Sequence, residues 1–405
     1  MNTRLAAAPL PSLNSGELRR FARHLTLPEL GLAGQQRLKA GSVLIIGLGG
    51  LGSPSSLYLA AAGVGRIGIV DADVVEETNL QRQIIHGHAM LGHMKTESAA
   101  ARMLDINPDL HIDRHDVRLS LANAVDLISQ YDVIVDGTDN FPTRYLVNDT
   151  CVKLGKPNVY GGVLRFDGQL SVFDARYGPC YRCLFPEPPP IEFAPNCAEA
   201  GVLGVLPGVI GALQATEVIK LLTGVGSPMI GKMLVYDGLD LSFTTIQVAK
   251  SPDCPICSLA RKDIKLQETM MVCGVPVGRS ISSLDLQSRL IGGDDLMVVD
   301  VRSPAEWLSG TILGAIGLPM PQIEQALMQA GAPPLPKNRD IVLVCQSGIR
   351  SSTTIKSLVA AGYDAGRLYN LELGRAAWPG EVHPPGAKNS LLREGPTDKP
   401  SILAN

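Results

Sequence analysis

The sequence predicts an α/β protein with a mostly parallel sheet, followed by a second, smaller α/β domain. From residue 43 to about 163, apolar β-branched runs such as SVLIIG, RIGIVD and YDVIVDGT alternate with helical segments, which is typical of a parallel sheet covered by helices. The alternation starts again at DLMVVDVRSPAEW and RDIVLVCQSGIRSS, after a polar stretch. A chain of 405 residues is long enough for two or three domains.

The bulk composition is that of an ordinary soluble protein, with 45% hydrophobic residues and a net charge of −3. No basic stretch indicates a nucleic-acid partner, and the prolines in MNTRLAAAPLPSLNSG argue against a signal peptide. The longest apolar stretch, from residue 201, carries Gln214, Glu217 and Lys220 on one helical stripe, which favours a buried helix over a membrane span. Eight cysteines indicate metal or catalytic use in a reducing compartment. We therefore expect a cytoplasmic protein without membrane or nucleic-acid partners.

A glycine turn follows the first predicted strand. Gly47, Gly49 and Gly52 of GLGGLGSPSS have the spacing of a Rossmann-like nucleotide-binding turn, and the second strand ends on Asp71, where such folds place a ribose-binding acid. Backbone N–H groups of such a turn hold a phosphate at a helix N-terminus. The glycines alone leave NAD and other nucleotides as open alternatives.

Polar residues beyond the second strand favour a triphosphate over NAD. Asn79, Arg82 and Lys95 lie close behind Asp71 in the chain, and cations of this kind neutralise charge at a phosphorus under attack. The fourth strand ends in DGTDN, which brings Asp136 and Asp139 to the carboxyl edge of the sheet, where an acid could hold Mg²⁺. Each of these residues taken alone could be an ordinary solvated loop position.

Six of the eight cysteines fall into three groups. Cys180 with Cys183, and Cys254 with Cys257, form two C-x-x-C pairs, and four thiolates from two such turns make a closed tetrahedral zinc site. A redox dithiol, or two unrelated pairs, is the alternative. Cys197 lies outside the pairs on a loop-rich, proline-containing crossover segment, where it is either a small buried side chain or a reactive thiol.

A third cysteine environment is predicted in the second domain. Cys345 ends a strand, a tight loop with Gly348 follows, and a helix begins near Arg350. This geometry directs loop N–H groups and a helix dipole at one sulfur, which would stabilise a thiolate or persulfide, and Arg350 would add positive charge. A buried, inert cysteine at the end of a strand is the alternative.

Together these motifs resemble one known family over residues 17 to about 260. GLGGLG, DADVVEETNLQRQ, KTESA, DGTDN, YRCLFP and NCAEAGVLG are similar to the ubiquitin-activating-like adenylyltransferases of sulfur-carrier proteins, most closely the molybdopterin-synthase adenylyltransferase group. The resemblance implies that ATP activates the C-terminal glycine of a small ubiquitin-like carrier, ending in Gly-Gly, as an acyl-adenylate.

The resemblance also implies roles for individual residues. Asp71 would bind the ribose, Asn79, Arg82 and Lys95 would contact the phosphates, and Asp139 would manage Mg²⁺. RRFARHLTLPELG is similar to the N-terminal helix that such enzymes lend to a dimer partner, so that Arg23 would be an arginine finger acting across a homodimer. Cys197 would take the carrier's acyl group or form an acyl disulfide, without being essential for adenylation.

Residues 280–384 resemble a rhodanese domain, on the basis of VVDVRSPAEW and the six-residue loop that begins at Cys345. The resemblance implies that Cys345 carries sulfane sulfur. Thr311 and Leu313 stand where the family usually has His and Pro, and Leu373 stands where Gly is usual, which bears on packing and on the preferred sulfur donor.

The expected organisation is an ATP-dependent adenylyltransferase domain over 1–261 with an N-terminal helix at about 15–40, a linker over 262–279, the rhodanese-like domain over 280–384, and a flexible tail over 385–405. The chain would adenylate a carrier and convert it to a thiocarboxylate with sulfur from a persulfide or thiosulfate donor. The alternatives are an adenylyltransferase or interaction scaffold with a non-functional rhodanese domain, and an NAD-dependent oxidoreductase.

Overall fold

The computed structural model describes residues 9–188, 201–268, 277–328 and 335–384. These residues fall into two compact units, the first ending within the described residues at 268 and the second beginning at 277. The predicted flexible tail at 385–405 and part of the predicted linker lie outside the described residues.

The first unit is built on an eight-stranded sheet with the order β3-β2-β1-β4-β5-β6-β7-β8. The strands from β3 to β5 are parallel, and β6, β7 and β8 are antiparallel to their neighbours. Their bounds are β1 Ser42–Ile46, β2 Arg66–Val70, β3 His111–His115, β4 Val133–Asp136, β5 Asn158–Leu164, β6 Asp167–Phe173, β7 Lys232–Asp237 and β8 Ser242–Gln247. This confirms the predicted mostly parallel α/β class.

Helices cover both faces of this sheet. They are α1 Ser15–Arg20, α2 Ala22–Leu25, α3 Gly31–Ala40, α4 Gly52–Ala62, α5 Lys95–Ile106, α6 Ala124–Ser129, α7 Phe141–Leu154, α8 Tyr181–Leu184 and α9 Val205–Thr223. The prediction of one N-terminal helix over about 15–40 is wrong, because the segment forms three short helices. Phe21 leaves helical geometry at ψ 15°, and Pro28 stands between α2 and α3, where it disfavours helical geometry in the residue before it.

The core lies between the sheet and its helices. Ala215, Val218 and Leu222 of α9 join Leu59 of α4 in one apolar cluster beneath the strands, and α6 and α7 close the opposite face. By length and apolar composition, α9 is the single helix among the described residues that could cross a membrane. Half of it is buried, and it packs on α4, β5 and β6, as a core helix does.

The second unit has a five-stranded parallel sheet with the order β12-β10-β13-β14-β9, and a separate pair of short strands, β11 and β15. The strands are β9 Arg279–Ile281, β10 Leu296–Asp300, β11 Thr311–Ile312, β12 Ile316–Gly317, β13 Asp340–Val344, β14 Leu368–Leu371 and β15 Val382–His383. The helices are α10 Ser283–Gly292, α11 Pro304–Trp307, α12 Met320–Met328 and α13 Ile349–Ala360. Apolar side chains fill both sides of the sheet.

Candidate functional site

A cavity of about 420 Å³ opens at the carboxyl edge of the first sheet, where β1, β2, β3 and β4 end. Open parallel sheets bind ligands at this edge because the loops that follow neighbouring strands meet there. Six residues singled out from the sequence line the cavity: Gly47, Gly49, Asp71, Arg82, Lys95 and Asp139. The fold therefore gathers most of the expected nucleotide site from four separate segments.

The glycine turn needs glycine for space. Gly47 has φ 90°, and a Cβ there would lie 2.9 Å from the carbonyl oxygen of Gly137. A Cβ on Gly52 would lie 1.9 Å from the carbonyl oxygen of Gly47. Gly52 is absent from the cavity lining; its contribution is the close packing that starts α4 directly beside the turn.

Asp71 and Lys95 are held in place by backbone and side-chain contacts. The Asp71 carboxylate accepts hydrogen bonds from the N–H of Leu48 at 2.8 Å and from the N–H of Asp73 at 2.9 Å. The buried Lys95 ammonium lies 3.0 Å from the Asp73 carboxylate. An acid fixed against the glycine turn and a cation in the same cavity lining suit a ribose and a phosphate chain.

Asn79 and Arg82 have different positions, although the sequence grouped them. The side chain of Asn79 is buried and accepts a bond from the N–H of Glu76 at 3.4 Å, and Asn79 is not part of the cavity lining. Its carbonyl oxygen accepts the N–H of Arg82 at 3.1 Å. The expected phosphate contact of Asn79 therefore stays a prediction, and its backbone carbonyl holds the N–H of Arg82, which does line the cavity.

The two acids of DGTDN also differ. Asp136 is fully buried and accepts two hydrogen bonds from Thr138, at 2.6 and 3.0 Å. Burial raises the pKa of its carboxyl group, although the guanidinium of Arg144 opposes this. Asp139 is exposed at the cavity wall and is the acid of the pair that could hold a metal ion there.

Sequence reasoning missed Arg118, which also lines the cavity. It follows β3, the outermost parallel strand, and a search of every strand end for cations would have found it. Two expected residues lie elsewhere. Arg23 of α2 does not line the cavity of its own chain, and Cys197 lies outside the described residues.

The four paired cysteines form one cluster, two from the segment after β6 and two from the segment after β8. The Sγ atoms of Cys180 and Cys254 are 3.5 Å apart, those of Cys183 and Cys257 are 3.4 Å apart, and all four lie within 4.8 Å of one another. Zn–S bonds of 2.3 Å in a tetrahedron place sulfurs about 3.8 Å apart, so the cluster has the size of a metal site. Burial and the three neighbouring sulfurs raise the pKa of the Cys180 thiol.

The second unit places Cys345 in the loop between β13 and α13. Its Sγ is fully buried and accepts a hydrogen bond from the N–H of Gly348 at 3.1 Å, and the Ser351 hydroxyl lies 3.3 Å away. Asn370 of β14 accepts the Ser351 hydroxyl at 2.6 Å and donates to the Gly348 carbonyl at 3.0 Å. The loop is therefore preformed around the sulfur.

Arg350 does not act as an isolated positive charge. Its guanidinium forms a two-point ion pair with Glu306, at 2.7 and 2.8 Å. Burial raises the pKa of Glu306, but the bonds from Arg350 and Ser303 outweigh it and lower that pKa to about 2. The ion pair ties Glu306 of α11 to the start of the helix that follows the sulfur loop. Glu306 was missed from the sequence.

The residues that depart from the rhodanese pattern have visible consequences. The hydroxyl of Thr311 is buried and donates to Asp300 at 2.5 Å, and Asp300 also pairs with buried Arg302 at 2.7 Å. Leu313 is half-buried. Leu373 has φ 58° and is 72% exposed, next to the glycine that contacts the Cys345 loop.

Replacing Leu373 by glycine is expected to stabilise the second unit. A left-handed residue with a side chain costs about 1–2 kcal/mol, and the greater freedom of unfolded glycine returns part of this, so a net gain of about 0.5–1 kcal/mol remains. Chemical denaturation of the full chain measures it. Leu308→Gly is the matched control, because Leu308 is 90% exposed at an ordinary φ of −60° and its replacement should not stabilise. If both variants change the free energy of unfolding equally, Leu373 is not strained by its left-handed backbone.

The geometry defines the class of protein: a nucleotide-binding adenylation fold joined to a sulfur-carrying domain. The model of the ThiF family matches residues 21–256, and that of the rhodanese-like domain matches residues 283–381. The chain belongs to the ThiF family, and a rhodanese-like domain follows its family domain.

Curated relatives combine both domains. The chain is 45% identical over 388 residues to the probable adenylyltransferase/sulfurtransferase MoeZ of Mycobacterium tuberculosis, covering 93% of this chain and 96% of the relative. It is 43% identical to the adenylyltransferase and sulfurtransferase MOCS3 of Sus scrofa, covering 79% and 74%. The predicted class of enzyme, a fused adenylyltransferase and sulfurtransferase, is confirmed.

Solved structures show the same fold at low identity. The E. coli protein MccB, solved with ATP, superimposes with a TM-score of 0.53 at 23% identity, over 60% of this chain and 75% of MccB. This likeness concerns the fold alone.

Proposed function

We propose that this chain adenylates the C-terminal glycine of a small ubiquitin-like sulfur carrier and then converts it to a thiocarboxylate with sulfur carried on Cys345. The observation that carries the proposal is the gathering of Asp71, Arg82, Lys95 and Asp139 around the glycine turn, in a chain that also presents a preformed sulfur loop. An NAD oxidoreductase needs neither feature.

The adenylation half needs positive charge more than an acid or a base. The carrier's carboxylate and the α-phosphate of ATP repel each other, so Arg82, Lys95 and Arg118 at the cavity lower the barrier by neutralising charge. Asp71 would orient the ribose. Asp139 would hold Mg²⁺, whose oxygen-ligand preference a carboxylate meets and which would neutralise the departing pyrophosphate.

An exposed apolar surface adjoins the cavity and suits the carrier. Val163 and Val202 line the cavity, and beyond them lie side chains that are at least 41% exposed: Phe166, Leu203, Leu241 and Phe243. The Phe166 carbonyl accepts the N–H of Gly238, and Leu203 bonds to Arg165, so these loops are contiguous. Apolar patches of this kind mark protein contacts, and a Gly-Gly tail is thin enough to enter from here.

The sulfur half uses Cys345 as a persulfide. Its terminal sulfur attacks the acyl-adenylate carbonyl, AMP leaves, and an acyl disulfide joins the carrier to Cys345. A second thiol that attacks the Cys345 sulfur then releases the thiocarboxylate and forms a disulfide, which a cellular thiol reductant reopens. The role that the family resemblance implies for Cys197, taking the carrier's acyl group or forming an acyl disulfide, stays a prediction. Arg350 supports the loop through Glu306.

A homodimer completes the proposal. Arg23 does not line its own cavity, and Leu18, Leu27 and Leu32 of the same N-terminal region are between 42% and 52% exposed. A second copy that covers this region could bring Arg23 to the neighbouring site. None of the six cysteines in the described part of the chain forms a disulfide, which supports a reducing, cytoplasmic location. We propose that the linker between the two domains spans 262–279.

The proposal is tested by carrier-dependent exchange of labelled pyrophosphate into ATP, with the full chain, Mg²⁺ and candidate carriers ending in Gly-Gly. Exchange with one carrier supports adenylation and identifies the partner. Absence of exchange with every carrier, in a preparation that still binds ATP, would overturn the adenylation half.

We further propose that the four-cysteine cluster holds structural zinc, since four protein ligands leave no open position for catalysis. Cys254→Ser is expected to lower bound zinc from about one per chain to near none and to lower the unfolding temperature. Metal analysis and thermal denaturation measure both. Cys151→Ser is the control, because Cys151 is buried outside the cluster and its replacement should keep the metal. Zinc loss in both variants, or in neither, would contradict the assignment.

A further inference from the structure

A buried histidine joins the separate parts of the nucleotide cavity. His86 follows the segment that carries Arg82 and is 6% exposed. One ring nitrogen, Nε2, lies 3.0 Å from the carbonyl oxygen of Leu48 in the glycine turn. The other, Nδ1, lies 2.9 Å from the hydroxyl of Ser98 in α5.

The partners determine the state of the ring. The Leu48 carbonyl can only accept, so Nε2 carries the proton and donates it, and Nδ1 accepts the Ser98 hydroxyl. Burial lowers the pKa of His86 and the Lys95 ammonium acts in the same direction, whereas the Leu48 carbonyl and the Asp71 carboxylate oppose them. Burial favours the neutral ring, in which both nitrogens have a hydrogen-bond partner.

The contacts of His86 form a chain through the site. The N–H of Leu48 donates to Asp71, and its carbonyl accepts from His86, so the Leu48 peptide is fixed on both sides. Ser98 lies three residues beyond Lys95, on the helix that Lys95 begins. The backbone N–H of His86 bonds to the carbonyl of Gln83, next to Arg82. The imidazole thus links the glycine turn, whose Leu48 N–H holds Asp71, to the helix that begins at Lys95.

We infer that His86 is a positioning residue for nucleotide binding: it holds the Leu48 peptide, and with it the glycine turn, in register with the helix that begins at Lys95. The inference rests on the proposed use of this cavity for ATP. His86 does not line the cavity, so it acts through the groups that do. Without the bond to Leu48, part of the binding free energy would be used to order the glycine turn, and a cost comparable to one hydrogen bond lowers nucleotide affinity about tenfold.

The test compares His86→Gln with His86→Asn in the full chain, with ATP binding measured by titration calorimetry without any carrier. The glutamine amide can reach the position of Nε2 and donate to Leu48, whereas the shorter asparagine reaches only the position of Nδ1. We expect His86→Asn to raise the Kd for ATP about tenfold and His86→Gln to raise it by no more than about threefold. Ser98→Ala, which keeps the donor but loosens the ring, should lie between them.

Two further measurements separate positioning from general destabilisation. In the exchange assay, His86→Asn should raise KM for ATP and leave KM for the carrier unchanged. His111→Gln, at the amino end of β3, is the control and should bind ATP as the unaltered chain does. Equal ATP affinities for the asparagine and glutamine variants would overturn the inference. If the asparagine variant fails to fold, an unchanged Kd for ATP in Ser98→Ala would overturn it instead. Failure of the proposed function is distinct, because it would abolish exchange in the unaltered chain.

Discussion

Cys345→Ala is expected to abolish thiocarboxylate formation and to leave carrier-dependent pyrophosphate exchange at the level of the unaltered chain. Cys345 is the sole cysteine among the described residues of the second unit, and its loop is shaped around the sulfur by Gly348, Ser351 and Asn370. Alanine leaves this scaffold in place and removes the atom that carries sulfur. Loss should exceed about a thousandfold, as for other removed nucleophiles.

Ser351→Ala provides the matched control for that result. It removes a hydroxyl 3.3 Å from the Cys345 sulfur and leaves the thiol, so sulfur transfer should fall only several-fold. Thiosulfate-to-cyanide transfer and mass analysis of the carrier measure both variants. Normal thiocarboxylate formation by Cys345→Ala with a persulfide donor would contradict the role of Cys345, and would favour a non-functional rhodanese domain.

Lys95→Ala is expected to impair pyrophosphate exchange and to leave sulfur transfer by the second unit unchanged. It removes a buried ammonium from the wall of the nucleotide cavity, and loss of one group that stabilises transition-state charge lowers turnover by about 10²–10³-fold. Pyrophosphate exchange should fall by that factor, while thiosulfate-to-cyanide transfer by the second unit stays unchanged.

Lys250→Ala is the control for Lys95, because Lys250 is an exposed lysine whose ammonium donates to the Ala175 carbonyl, away from the cavity lining. It should retain exchange. A Lys95→Ala variant that folds normally and exchanges at the rate of the unaltered chain would contradict the assignment of this cavity to adenylation.

The fold was predictable because its signals are local. Alternating apolar runs and helices indicate a parallel sheet, and the glycine spacing indicates which loop approaches a phosphate. The short helices at the N-terminus were less predictable, because the break at Phe21 is set by backbone geometry and not by a proline or glycine.

The site was predictable at the level of segments and less so for single side chains. Strand ends converge on one edge, which placed Asp71, Lys95 and Asp139 correctly near one cavity. The pattern did not distinguish Asp136 from Asp139, because only the turn of the chain after β4 buries one and exposes the other.

Contacts between residues far apart in the chain could not be predicted from the sequence, because they depend on tertiary packing. The bond between Glu306 and Arg350 joins residues 44 positions apart, and the contact of His86 with Leu48 joins residues 38 apart. Neither pair has a sequence motif. Tertiary packing alone creates them, and each changes the interpretation of a neighbouring functional residue.

The most direct test of the whole account is one reaction in which the full chain, carrying labelled sulfur on Cys345, meets ATP, Mg²⁺ and the carrier identified by exchange. Mass spectrometry of the carrier gives the result. We predict that labelled sulfur replaces one terminal oxygen of the carrier only when ATP is present. Lys95→Ala should lower this incorporation by about 10²–10³-fold, and Cys345→Ala, which cannot carry the label, should give none. The account would be contradicted if a chain whose Cys345 carries labelled sulfur adenylates the carrier and the carrier takes up no sulfur.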